Sequence, residues 1–146
     1  MSLLNASHHP ALSTSPDTTV ADACARMLER NVGSIVVVND KDQPIGILTE
    51  REALRLIVGK NIDAANTRLG DVMTTPCMVI PSDRSIHDAL SVMLNKTIFH
   101  MAVIDADRKL AGVVSYRTLL RQHIDNLNAE VDGLTAYMGV DGIGGD

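Results

Sequence analysis

Apolar positions along the chain fall into two kinds of run. In the first they recur at helical spacing: Val20, Cys24, Met27 and Leu28; Ala53, Leu54, Ile57 and Val58; and Ile86, Leu90, Met93 and Leu94. In the second they are nearly continuous and rich in β-branched residues, over 34–38 and 44–49 and again over 101–104 and 110–115. Runs of the second kind read as strands, buried on both faces where they are wholly apolar. The polar stretch Asn39-Asp40-Lys41-Asp42 between the first two strands points to an antiparallel hairpin. Residues 12–14 read as a short edge strand before the turn Ser15-Pro16-Asp17. Thr19 with Asp22, Thr49 with Glu52 and Ser85 with Asp88 have the spacing of capping boxes at helix starts. Gly59 ends the helix that follows Thr49.

The same order of elements is written twice. At a constant offset of 66 residues Asp17 meets Asp83, Asp22 meets Asp88, Met27 meets Met93, Val37 meets Val103, Gly46 meets Gly112 and Arg51 meets Arg117. No gap interrupts the offset, and a gapless internal repeat of this length is the strongest feature of the chain. Each copy reads strand, helix, strand, strand, helix. A unit of that size has little interior of its own. Two copies packed sheet against sheet are therefore expected, as one pseudo-twofold α/β (α+β) domain.

The expected organisation is a flexible segment over 1–11, a first repeat over 12–58, a linker over 59–73 and a second repeat over 74–124. The linker carries one amphipathic turn (Leu69, Val72, Met73), stopped at Thr74-Thr75-Pro76. A helical tail over 125–146 follows, with a frayed end from 139. Along it Ile124, Leu127, Val131, Leu134 and Met138 recur at three- and four-residue steps. That stripe is either a docking face for a partner chain or a face folded back on the protein's own core.

Composition narrows the function classes. A net charge of -5, with no Trp, one Phe and two Tyr, argues against nucleic acid, which asks for a basic face or a stacking platform. No apolar run nears the roughly 20 residues of a membrane span, and no signal peptide is read at the N-terminus. Cys24 and Cys77 form neither a disulfide framework nor a metal spacing. A cytoplasmic protein is expected. The histidines at 8, 9, 87, 100 and 123 are scattered, and His8-His9-Pro10 reads as a solvated end. No nucleophile–base pairing, metal-ligand set or phosphate-binding glycine loop is visible, so no enzyme is expected.

Candidate chemistry sits at the duplicated corners 46–52 and 112–118. Each takes a strand into a helix start, where a hydroxyl caps the helix and free N–H groups suit an anion. Thr49 with Glu52 is also fully explained as a capping box.

Taken together, the repeat and the pieces Ala-Asp-Ala, Val-Gly-Ser-Ile-Val-Val-Val, Gly-Asp-Val-Met and Gly-Ile-Leu-Thr-Glu-Arg-Glu resemble the CBS domain, named for cystathionine β-synthase. The resemblance covers residues 12–124 and implies a tandem pair, or Bateman module, of the stand-alone kind. Such pairs commonly form homodimeric four-repeat disks. Many bind AMP, ADP or ATP between the two sheets, and some bind S-adenosylmethionine or NAD-type ligands; no cofactor is required. By resemblance Thr49 and Ser115 are phosphate-facing hydroxyls. Glu52 is the ribose-facing acid, and Thr118 stands where the family has its second acid. Ser34, Thr75, Cys77, Met78, Val79 and His100 complete the clefts, with His100 near the phosphates. Glu52 is one methylene longer than the family's Asp and Thr118 carries no charge, so the first corner, at Thr49, is the one expected to hold ligand. The expected function is a regulatory module that senses an adenosine nucleotide and signals to a protein partner. The alternative is a dimeric interaction scaffold without a small ligand.

Overall fold

The computed structural model describes residues 3–142, and side chains through residue 138. The first repeat contains β1 (Ser13–Thr14), α1 (Val20–Arg30), β2 (Ser34–Val38), β3 (Pro44–Thr49) and α2 (Glu50–Leu54), which continues into a π-helical stretch (Arg55–Gly59). A short helix, α3 (Leu69–Val72), leads to the second repeat: β4 (Val79–Pro81), α4 (Ile86–Lys96), β5 (His100–Ile104), β6 (Leu110–Ser115) and α5 (Tyr116–Gly142). Each repeat builds a three-stranded sheet with the same topology. Its first strand runs parallel to the second and its last two form an antiparallel hairpin. The bulges match as well, at Val37/Val38 and Val103/Ile104.

All three hydroxyls cap their helices, but only one expected box is reciprocal. Thr19 accepts the Asp22 N–H and Thr49 the Glu52 N–H, each from one side only, whereas Ser85 and Asp88 make the full box. Ordinary caps of this kind are worth about 1 kcal/mol each. Behind each sheet lies a separate core, and a third apolar cluster joins the sheets: Val36 and Ile47 of one against Cys77, Ala102 and Val113 of the other. The strand residues that look apolar on both faces supply these layers, one face to the repeat's own helices and one to the other repeat.

The two repeats are tied by the chain that leads into each. Residues 3–8 cross onto the second repeat, where Leu3 and Ala6 are buried in its core and His8 exchanges two backbone hydrogen bonds with Val113, 2.8 and 3.0 Å. Residues 69–74 cross onto the first, where Leu69 is buried and Thr74 exchanges two with Ile47, 3.2 and 3.3 Å. Leu3 and Leu69, like His8 and Thr74, are related by the same 66-residue offset. The segment 1–11 is thus no flexible end over its described residues. It is the structural equal of the chain ahead of the second repeat, held by apolar burial and a strand-like rung.

The motif glycines make these rungs possible. A Cβ on Gly46 would fall on the side chain of Met73, and one on Gly112 would strike Ser7 Oγ and stand 3.0 Å from the His8 carbonyl oxygen. The tail differs from expectation in one respect: α5 continues to Gly142, past the point where fraying was expected, while residues 143–146 lie outside the described chain. No helix among the described residues is long and apolar enough to cross a membrane.

The two glycines predict unequal mutants. Gly112→Ala presses on backbone and should destabilise by about 1–3 kcal/mol, the usual cost of overpacking. Gly46→Ala presses on a flexible thioether and should cost less. Urea unfolding of both checks this; equal losses would contradict it.

Candidate functional site

A cavity of about 600 Å³ opens between the repeats, within the range of small-molecule sites. Three pseudo-equivalent pairs face it: Gly33 and Phe99, Ser34 and His100, Glu50 and Tyr116. The remaining walls come mainly from one side. They are the crossing segment 8–12, the end of α1 at Arg30 to Val32, and the start of α5 at Ser115 and Arg117.

Local geometry explains how these groups are held. Ser115 caps α5: the Thr118 N–H donates to Ser115 Oγ at 3.2 Å, and the Ser115 hydroxyl donates to Thr118 Oγ1 at 2.9 Å. The first amide of each motif helix is fixed across the sheet, Glu50 N–H to Gly33 O at 3.0 Å and Tyr116 N–H to Phe99 O at 2.8 Å. Phe99 and Tyr116 then meet edge to face, with ring centroids 5.8 Å apart. Opposite them the missing side chain of Gly33 leaves room for polar groups. A methyl there would stand 3.3 Å from His100 Nε2 and 3.4 Å from Glu50 Oε1. Burial pushes the His100 pKa down; the Glu50 carboxylate opposes that shift and His8 adds to it. The cavity thus combines two arginines, a helix start, a half-buried imidazole and one carboxylate. Such a set can hold an anion at one end and accept hydrogen bonds at the other.

Three of the residues expected in a ligand cleft line this cavity: Ser34, His100 and Ser115. The others do not. Thr49 caps α2 by accepting the Glu52 N–H at 3.2 Å, and the Glu52 carboxylate lies 3.3 Å from Arg55, one turn on. Cys77 is buried in the seam between the sheets, where desolvation raises its thiol pKa to about 11, and Val79 packs against the same seam. Met78 packs on the second repeat's core, and Thr75 is exposed. Thr118 is spent on Ser115. The cavity therefore extends to the Ser115 corner and not to the Thr49 corner, the reverse of the expectation. The lead-ins cross alike, so the difference lies in the facing side chains: Phe99 and Tyr116 stand where the first repeat has Gly33 and Glu50.

Arg30, Glu50 and the segment 8–12 were missed by sequence reasoning, and Arg117 reads there as a solvated helix residue. The repeat offset held a clue, since His9 and Ala11 lie 66 residues before Thr75 and Cys77. Among the described residues no group of three or more His, Cys, Asp or Glu side chains is placed to hold a metal ion.

Two stacked β-α-β-β-α repeats with a cleft between them define a tandem repeat module, and comparison with known proteins names its family. The CBS domain model matches residues 5–59 and 69–125, and the chain belongs to the CBS domain family. The matched spans include residues 5–8 of the first crossing segment and all of the second. An uncharacterized protein of Methanopyrus kandleri is 35% identical over 112 residues, 75% of this chain and 56% of that protein. The chain spans 56–65% of the length of the curated relatives it matches at 34–35% identity. Among solved structures, a CBS domain protein of Pyrobaculum aerophilum complexed with AMP has a TM-score of 0.74 at 20% identity, covering 81% of this chain and 89% of that one. The CBS domain pair of protein MJ0100, in complex with 5'-methylthioadenosine and S-adenosylmethionine, has a TM-score of 0.77 at 15% identity, covering 86% and 98%. These structures share the fold.

The lowered pKa of His100 predicts a pH signature. Its neutral form is favoured in the folded chain, so the unfolded chain takes up the proton first as pH falls. Its contribution to stability is full above about pH 6.5 and is lost as pH falls from there through the lowered folded value. The unfolding midpoint in denaturant should therefore drop on acidification below about pH 6.5, and His100→Gln should flatten that part of the curve. An unchanged slope in the variant would assign the pH dependence elsewhere.

Proposed function

We propose that this chain is a regulatory module that binds an adenosine-containing nucleotide, of the AMP, ADP or ATP class, at the Ser115 corner of the cavity between its repeats. The observation that carries the reading is the convergence of Arg30, Arg117, His100 and the capped start of α5 on one cavity of nucleotide size. Phosphate oxygens suit guanidinium groups and helix N–H groups. Glu50, from the other repeat, supplies the acceptor for ribose or amino groups that Thr118 lacks. The Pyrobaculum relative's AMP and the MJ0100 pair's S-adenosylmethionine support an adenosine ligand. The ligand signals by favouring one packing of the repeats over another, which requires different affinities for the two.

The module acts as a homodimer in the same proposal. Exposed apolar residues stand on both helices of each repeat in offset-related pairs: Leu28 with Leu94 on α1 and α4, and Leu54 with Leu120 and Val58 with Ile124 on α2, its π-helical extension and α5. Their exposure fits a face between copies. The same exposure favours the second reading, a dimeric scaffold without a small ligand.

A thermal-shift series with AMP, ADP, ATP, S-adenosylmethionine and NADH separates the two readings. A ligand at 100-fold excess over its Kd should add about 2.7 kcal/mol of stability. Arg117→Ala should weaken that shift at least tenfold in apparent affinity. Thr49→Val should lower stability by about 1 kcal/mol through its lost cap and leave affinity intact. No shift with any of the five would favour the scaffold, and a loss confined to Thr49→Val would move the site to the first corner.

A further inference from the structure

Helix α5 outruns the family match by more than four turns, and its exposed face has a regular order. Leu120, Ile124, Leu127, Val131, Leu134 and Met138 alternate four- and three-residue steps without a break. They are 37–60% exposed, so the alternative of a face folded back on the core does not hold. A step pattern averaging 3.5 residues is the seam of a left-handed coiled coil, narrower than the face of a helix lying on a globular core.

The residue types select the occupant. The steps place Leu120, Leu127 and Leu134 at d positions and Ile124, Val131 and Met138 at a positions. In a parallel pair, β-branched residues at a with Leu at d favour two strands, and Ile124 and Val131 fill two of the three a positions. Such a seam is complementary to itself, which is what a twofold contact between identical chains requires. The flanking positions raise no objection to an in-register parallel pair. His123 would meet Asn128 and Glu130 would meet Thr135, with no like charges opposed. Gly133 falls at a c position, outside the seam, and has open space around it.

We infer that α5, from Leu120 to Met138, pairs in parallel and in register with α5 of a second copy as a two-stranded coiled coil. The seam is about 28 Å long at helical rise, short of the three to four heptads that sustain a free coiled coil. It therefore depends on the folded bodies to hold the two helix starts together. Leu119, fully buried in the second repeat, anchors that start. The pairing rests on the homodimer proposed above, not on the ligand, and it orients the two bodies side by side with their tails pointing the same way.

Cysteine cross-linking in the full chain tests this. In a Cys24→Ser, Cys77→Ala background, Leu127→Cys and Leu134→Cys are each oxidised mildly and run on a non-reducing gel. Ala129→Cys, on the outer face, serves as the control. A parallel in-register pair gives covalent dimer as the major species for both seam variants and only traces for the control. Antiparallel pairing links at most one variant by itself and joins the two when they are mixed; that result overturns the inference. So does equal cross-linking at residue 129. Light scattering on the same samples separates tail from body. A dimer whose seam cysteines stay reduced overturns the tail pairing alone, and a monomer overturns the homodimer with it.

Discussion

The structure depends on a crossed exchange of backbone hydrogen bonds. The chain entering each repeat pairs with the last strand of the other, His8 with Val113 and Thr74 with Ile47. Beside each rung a leucine, Leu3 or Leu69, fills the neighbouring core. Neither repeat is complete without a segment laid across it, so the unit of folding is the pair. The rungs need the backbones close together, and that approach is open only where the facing residue has no Cβ. Gly46 and Gly112 are thus assembly residues, and the hydroxyls three positions later, Thr49 and Ser115, cap the helices that follow, Ser115 also facing the cavity.

The exchange is symmetric, but the side chains that face the cavity are not. The repeats are alike in sheet order, bulge and cap, yet three facing pairs differ: Gly33 against Phe99, Ser34 against His100, Glu50 against Tyr116. The second repeat contributes the bulky members and the first the small and the acidic ones. A pseudo-twofold frame thereby carries an unsymmetrical cavity, lined by Arg30, Arg117 and the helix start at Ser115 together with the Glu50 carboxylate.

Much of this was legible in the sequence because it is set over short range. β-Branched runs made the strands, Thr19 and Ser85 made the caps, and the 66-residue offset required two equivalent units. The crossing segments were not legible. Each rests on one buried leucine and one rung, and their polar residues look like any solvated stretch until the other repeat is in place. Nor was it legible that the cavity would lie at the Ser115 corner, since that depends on how side chains of the two repeats meet. Leu28, Leu54, Val58 and Leu94 belong to apolar helical stripes yet are exposed, because helical spacing reports an apolar face without saying what covers it.

The rung between His8 and Val113 has a further consequence, because both residues also line the cavity. A wall that doubles as a joint cannot be set independently of what it encloses. Any molecule held more tightly when the joint is closed must, by reciprocity, close the joint by the same factor. A substitution far from the cleft that loosens the crossing will then read out as lost affinity, with every contact to the bound molecule still in place.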